Sequence, residues 1–354
     1  MSTFSLGSVP ARPRDTLDGA APGPRAVASE AARAARASIV VCTYTADRLE
    51  LARASITAAL SQSGDPEVIV VVDHNEALLQ QLRREFGSRA IVVPNAHARG
   101  LSGARNTGIE ASHGELVAFV DDDAVAPAGW LAALQHGCED PDAIAAGGHA
   151  VPVWESPRPD WFPDEFLWVV GCSYAGMTRR GPVRNVLGCS MAFRRDVFGG
   201  AGLFDASVGR LGRKPLGAEE TELCIRARRW RPGSRIVMVD AEPVRHHVSE
   251  DRTHFGYFAK RCFYEGVSKS VLARLAGGDV LESERGHLLR ALPAAFVREI
   301  VASVRDRRAA PLLRALAIAA GTVAAGTGFA TGMAAAKVPG RRERLAARSE
   351  GGAR

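Results

Sequence analysis

Three carboxylates stand side by side at Asp121, Asp122 and Asp123, directly after the apolar run Leu-Val-Ala-Phe-Val at 116–120. Hard divalent cations prefer carboxylate oxygens, and a Mg2+ or Mn2+ carrying a diphosphate needs only one or two of them from the protein. Alternate residues on an extended segment point the same way, so Asp121 and Asp123 can face one ligand together. Adjacent carboxylates also repel, which is costly unless a cation neutralises them. A solvated acidic turn is the competing account. The buried strand immediately before the triplet favours chemistry.

Three further groups carry reactive types. Residues 99–106 read Arg-Gly-Leu-Ser-Gly-Ala-Arg-Asn. Their glycines let backbone approach a ligand, the helix start that follows favours anions, and Arg105 can balance the aspartates. A capped structural loop explains the same residues. Glu219 and Glu220 open the run Glu-Glu-Thr-Glu. A hydroxyl nucleophile needs a general base within hydrogen-bond reach, and either glutamate can serve. Favourable charge at a helix start is the plainer reading. His246 and His247 follow a short strand, where an imidazole can complete a metal site or touch a phosphate, against the default of a packed histidine. Lys260, Arg261 and Tyr264 can meet an anionic ligand or form a solvated face.

The elements that must position these groups are legible from periodicity. Residues 39–42, 68–72, 90–93 and 116–120 read as buried strands, and 47–60, 77–86 and 100–111 as helices between them. Strands alternating with helices predict an α/β fold with a mainly parallel sheet covered on both faces. Ligands of such sheets bind beyond the carboxyl ends of the strands, where Tyr44, Asp73 and the three aspartates fall. Residues 151–185, with four prolines before 165 and three of the five tryptophans, read as an irregular, partly mobile excursion. A helix over 219–229 and a strand over 236–239 follow. Residues 253–308 are rich in Arg and Leu at helical spacing, and 315–336 run without a charge. That stretch is long enough to span a bilayer, but its Ala, Gly and Thr make insertion weak, so an interfacial or buried hairpin is the preferred reading.

The bulk properties fit. The chain has 354 residues, 46% of them hydrophobic, enough for one large domain with appendages. A net charge of +6, concentrated toward both ends, suits an anionic substrate or membrane surface. It is too scattered for a nucleic-acid stripe, so no nucleic-acid partner is expected. The six cysteines have no C-x-x-C spacing, which argues against structural zinc and for a reducing, cytoplasmic setting. Residues 1–37 lack an apolar central run and read as a disordered arm.

Taken together, these residues resemble the family 2 glycosyltransferases, which have the GT-A fold. The likeness covers about 38–270. It is carried by Val40 to Tyr44, by Asp73, by Arg99 to Gly108, by Gly114 to Asp123 and by Glu219 to Leu223. It implies that Thr43, Tyr44 and Asp73 contact the nucleotide base, that Arg105 lies near the donor, that Asp121 faces the ribose and that Asp123 ligates Mg2+ or Mn2+. Asp122 falls on the donor side without a role of its own. His246 or His247 would sit at the metal or diphosphate, and His246 is the one assigned as ligand. The family's usual Glu-Asp pair is Glu219-Glu220 here, which makes Glu220 the expected base and Glu219 its neighbour.

The reaction implied is an inverting transfer from a nucleotide-diphosphate sugar, a UDP-sugar by preference, to a hydroxyl of a glycan or lipid-linked acceptor. Residues 260–266 and the Ala/Gly-rich tail look similar to bacterial and archaeal members acting on surface polysaccharide or polyprenyl-linked sugars, including glucuronosyltransferase-like proteins. The expected organisation is a catalytic region over 38–250, with a nucleotide-sugar half (38–125) and an acceptor half (126–250). A helical region over 251–345, able to touch a membrane peripherally, and a basic tail over 346–354 follow. Location at the inner face of the cell membrane goes with it. The alternatives are a sugar-1-phosphate nucleotidyltransferase, against which the absence of a Gly/Arg-rich loop after the first strand speaks, and a degenerate, non-catalytic nucleotide-sugar-binding protein.

Overall fold

In the computed structural model, which describes residues 37–207, 217–276 and 286–335, the chain begins with β1 (Ala37–Thr43). The expected tail over 346–354, and the expected arm except Ala37, lie outside the described residues. The side chains of β1 divide by parity. Ile39 and Val41 enter one core, and Val40 enters another. β2 (Glu67–Val72) does the same, with Val68, Val70 and Val72 on one side and Ile69 and Val71 on the other. Strands buried on both faces need apolar residues at every position, which is why they read as continuous β-branched runs rather than alternating ones.

β3 (Ile91–Pro94), β4 (Leu116–Asp121), β6 (Ala143–Gly147), β8 (Gly181–Val183), β9 (Met191–Arg194) and β10 (Arg235–Met238) complete an eight-stranded sheet in the order β3-β2-β1-β4-β9-β6-β10-β8. β1 runs parallel to β2 and β4, whereas β9 is antiparallel to both β4 and β6. The sheet is thus mixed and mainly parallel, as expected.

Helices α1 (Leu49–Leu60), α2 (Glu76–Phe86) and α4 (Trp130–Gly137) pack on one face. Helices α3 (Leu101–Ala111), α5 (Arg195–Gly200) and α6 (Glu219–Trp230) pack on the other. α3 lies unusually close to the sheet at Gly108, where a Cβ would come within 2.3 Å of Val40 Cγ1. That approach buries Arg105, one turn earlier, almost completely.

A second sheet of three strands, β5 (Ala124–Val125), β7 (Ala150–Trp154) and β11 (Val244–Val248), is ordered β5-β11-β7 beside the first. Residues 151–185 are not the irregular excursion expected. They hold β7, a 3-10 helix at Asp164–Val170 and β8. The tryptophans and prolines that suggest irregularity instead build a third core. In it Phe162 and Phe166 meet Phe258, Trp161 stacks on Phe162 and Trp154 meets Phe162 edge-on.

Phe258 belongs to α7 (Phe255–Ala276), and the same core takes Leu292 and Ala295 of α8 (Leu292–Asp306) and Ala317 and Ile318 of α9 (Ala309–Ala335). The charge-free stretch is therefore one continuous helix, not a hairpin. Alanine favours helix, and the turn falls earlier, at Arg307, which adopts φ 50°. α9 is long and apolar enough to cross a membrane by length and composition, with a mean hydropathy of 1.5. Its glycines have a packing reason. A Cβ on Gly328 would lie 1.9 Å from the Phe263 carbonyl oxygen, and one on Gly266 1.9 Å from that of Ala325, so α7 and α9 touch backbone to backbone.

Candidate functional site

β4 ends on Asp121 and β5 begins at Ala124, so the aspartate triplet occupies the turn between two strands. Ser55 of α1 fixes this turn by donating to the Asp121 carbonyl at 3.0 Å. β11 then pairs antiparallel with β5, His246 opposite Ala124, and the His247 amide donates to the Asp123 carbonyl at 2.7 Å. Strand parity decides between the two histidines. His246 is buried with Nε2 3.3 Å from Asp123 Oδ1, while His247 takes the other side.

Asp121, Asp123 and His246 each offer one ligand atom, all within 4.8 Å of one another. Two carboxylates and an imidazole fit a divalent cation with hard and borderline preferences. The other oxygen of Asp123 accepts from Arg48 at 2.8 Å and Arg252 at 3.3 Å. Arg48 also reaches Asp122 at 3.2 Å. Asp122 is buried, and burial, only partly offset by Arg48, pushes its carboxyl up to about 7.

Arg105 joins two regions far apart in sequence. It donates to Asp121 at 3.2 Å, to Glu219 at 3.1 Å and to the Gly188 carbonyl at 3.1 Å. Burial works against its charge, but Asp121 and Glu219 outweigh burial and hold its pKa above the usual value. Glu219 and Glu220 open α6, preceded by Ala218 in the left-handed region at φ 85°. The two acids differ. Glu219 is tied to Arg105, whereas burial, with Glu219 adding to it, pushes the Glu220 carboxyl up to about 7. Glu222 is spoken for by Arg226 one turn on, so for that residue the helix reading holds.

At the other end, Asp73 follows β2 and accepts from the Gly100 amide at 2.9 Å and from Asn95 at 2.6 Å. The amide at the start of α3 is therefore satisfied by Asp73. Thr43 is buried, and Tyr44 is exposed with the Arg48 guanidinium 4.9 Å above its ring.

One cleft of about 2310 Å³ collects these groups. Thr43, Tyr44, Asp73, Arg105, Asp121, Asp122, Asp123, Glu219, Glu220 and His246 all line it. His247, Lys260 and Tyr264 are not among the lining residues, though Arg261 is. Arg48 and Arg252 escape sequence reasoning. Their only signal is a cation a few residues beyond a strand that carries site residues. The far wall comes from α7, with Tyr257, Arg261, Glu265 and Lys269, and from α9, with Thr322, Ala325 and Phe329. Arg261 and Lys269 both pair with Glu265. The cysteines play no reactive part here. All six are free thiols, and burial pushes Cys138, Cys172, Cys224 and Cys262 up to about 12.

The arrangement suits binding of a diphosphate at the aspartate turn and proton removal at Glu220. Comparison with known proteins shows the family and the fold. Residues 38–200 match the model of the family described as "Glycosyl transferase family 2". The chain is 35% identical over 303 residues to a glucosyl-dolichyl phosphate glucuronosyltransferase of Haloferax volcanii, a match covering 84% of this chain and 96% of that protein. It is 27% identical over 248 residues to the succinoglycan biosynthesis protein ExoM of Rhizobium meliloti, covering 68% of this chain and 76% of that one. In fold it is similar to the mannosyltransferase PcManGT of Pyrobaculum calidifontis, solved in complex with GDP-Man and Mn2+. The TM-score is 0.53 at 19% identity, over 83% of this chain and 86% of that one.

Proposed function

The chain belongs to glycosyl transferase family 2, and on that premise we propose that it is an inverting enzyme acting on a lipid-linked acceptor. It moves a sugar from a nucleotide-diphosphate sugar, preferably a UDP-sugar, to a hydroxyl of a polyprenyl-phosphate-linked glycan. The observation that carries the reading is the shared cleft. A cation-ready Asp121, Asp123 and His246 group and a half-buried Glu220, whose carboxyl desolvation pushes up to about 7, line the same cleft. The acceptor class is supported by the activity for which the Haloferax volcanii relative is named. It is also supported by the cleft's far wall, which mixes cations with apolar helix surface.

Asp121, Asp123 and His246 would hold the metal, and the imidazole among them favours Mn2+ over Mg2+. When bound, the cation supplies positive charge beside the donor diphosphate. The chain's own residues do the rest. Thr43, Tyr44 and Asp73 border the nucleotide end, and Arg48 and Arg252 add positive charge at the diphosphate end. Glu220 takes the proton from the acceptor hydroxyl as its oxygen bonds to the anomeric carbon. The bond from that carbon to the diphosphate oxygen breaks, and the nucleoside diphosphate leaves with the electron pair. Glu219 and Arg105 keep the carboxylate of Asp121 and the start of α6 in register. Action at the cytoplasmic face of a membrane, through peripheral contact of the C-terminal helices, goes with such an acceptor.

The test is direct. Full-length protein, Mn2+, a panel of nucleotide sugars and a short-chain polyprenyl-phosphate-linked sugar are combined, and release of nucleoside diphosphate and product anomeric configuration are read. Inverted product with nucleoside diphosphate release is expected. Pyrophosphate release would instead indicate a nucleotidyltransferase, and donor binding without turnover on any acceptor a non-catalytic member.

A further inference from the structure

The outward faces of α8 and α9 are apolar where a water-facing helix should be polar. On α8, Val297, Val301 and Val304 follow one another at helical spacing and are 58%, 57% and 76% exposed. On α9, Leu312, Leu316 and Val323 continue the pattern at 42%, 56% and 67%. Between and beyond them on that stripe lie only Ala319, Gly326 and Ala330, so it carries no charge. Leu289, just before α8, is 74% exposed. Scattered exposed aliphatics are ordinary, but two helices packed together that each expose an apolar stripe point to a surface that meets something apolar.

We propose that this α8–α9 face beds in the plane of an anionic lipid bilayer, half-immersed and not spanning it. The proposal deepens, and rests on, the reading of a lipid-linked acceptor. Three observations choose the occupant. First, the exposed turn between α8 and α9 carries three arginines against one acid, Asp306, so the apolar face has a cationic edge that complements anionic headgroups. Arg305, Arg307 and Arg308 gather at the turn between the helices, all exposed.

Second, the same elements reach the catalytic cleft, which is lined by Leu288 and Arg290 before α8 and by Thr322 and Phe329 of α9. A chain lying against lipid at this face thus borders the site where a lipid-linked acceptor must react.

Third, the packing of α9 opposes a spanning position. Its other side is fixed to α7 through the backbone contacts at Gly328 and Gly266. α7 carries Arg261, Glu265 and Lys269 in the cleft wall. Drawing α9 across a bilayer would take these charges into hydrocarbon, where each is expensive. The inner polar links, Arg298 to Glu165 at 2.9 Å and Arg314 to the Asp160 carbonyl at 3.2 Å, hold α8 and α9 against the catalytic region in the same way.

The experiment is flotation of the full-length protein with phosphatidylcholine vesicles, with and without phosphatidylglycerol, followed by an alkaline carbonate wash. The expected result is binding that needs the anionic lipid, weakens with salt and is stripped by carbonate. The double substitution Val301→Asp and Leu316→Asp should lower vesicle affinity about tenfold or more. It should leave Mn2+-dependent thermal stabilisation by donor unchanged, which also certifies its fold. Retention after carbonate overturns the in-plane placement in favour of a span. Unchanged flotation of the double variant overturns the assigned face. A native chain that ignores vesicles and forms dimers, which the double variant abolishes, overturns it in favour of a second copy. Transfer to a short-chain, water-soluble acceptor separates the two readings: if that activity holds while flotation fails, only the membrane face falls. If flotation holds while no polyprenyl-linked acceptor reacts, only the acceptor reading falls.

Discussion

As the proposed base, Glu220 stands in an environment unfavourable to its charge, burial first and the neighbouring Glu219 second. Only the carboxylate can accept the acceptor's proton, so log kcat should climb with unit slope at low pH and level off above about pH 7. Glu220→Gln should keep donor affinity and lose roughly 10²–10⁴ in kcat. Near-normal turnover would move the base elsewhere. Stability should respond oppositely. The folded-state pKa stands above the ordinary 4.5, so the folded chain holds a proton between pH 4.5 and about 7 that the unfolded chain has lost. Stability from this group is therefore present at low pH and drains away as pH rises through that window. Glu220→Gln should accordingly melt higher than the native chain at pH 8 and no higher at pH 4. Arg105→Ala leaves Asp121 and Glu219 as buried or half-buried acids without their shared cation, and should cost about 3–5 kcal/mol in urea unfolding. Asp123→Ala should abolish the Mn2+ dependence of donor binding, and calorimetry showing unchanged affinity with Mn2+ would remove Asp123 from the ligand set.

At the scale of elements, the contact between α7 and α9 is the sharpest case. Gly328→Ala places a Cβ against the Phe263 carbonyl and should destabilise by about 1–3 kcal/mol, the usual cost of overpacking. Gly326→Ala, two residues away with nothing within 4 Å, should instead stabilise by up to about 1 kcal/mol through helix propensity. Equal effects at the two positions would mean that propensity, not contact, governs the helix. This contrast also shows where sequence reading ends. The strands β1, β2 and β4 were readable because burial on both faces demands unbroken β-branched runs, and the aspartates because they end such a run. The pairing of β11 with β5 was not, since a three-strand sheet assembled from distant segments leaves no periodic trace. The choice of His246 over His247 gains its physical ground only from the strand's parity, which puts the His246 imidazole beside Asp123. Arg48 and Arg252 were invisible because an arginine near a strand end looks like any solvated cation until the fold closes.

For the whole molecule, the third hydrophobic core decides what counts as the enzyme. Phe162, Phe166 and Val170 from the middle of the chain share that core with Phe258, Leu292 and Ile318 from its last third. Full burial of a phenylalanine contributes roughly 1.5–3 kcal/mol, and several would be uncovered by removing α7 to α9. A chain cut after residue 250 should therefore expose apolar surface, bind a hydrophobic dye and lose its cooperative melt. A truncated protein that melts cooperatively and binds donor as well as the full chain would show the helices to be detachable.

Arg105 carries a consequence for descent as well as for reaction. It is the shared counter-charge of Asp121 and Glu219, so those three residues stand or fall together as structure, whereas Glu220, the proposed base, is held charged at a cost. A lineage that abandoned transfer and kept the fold would shed Glu220 first and gain stability by doing so. The arginine and its two acids would persist in the silent descendant, a fossil of an active site that remains as masonry.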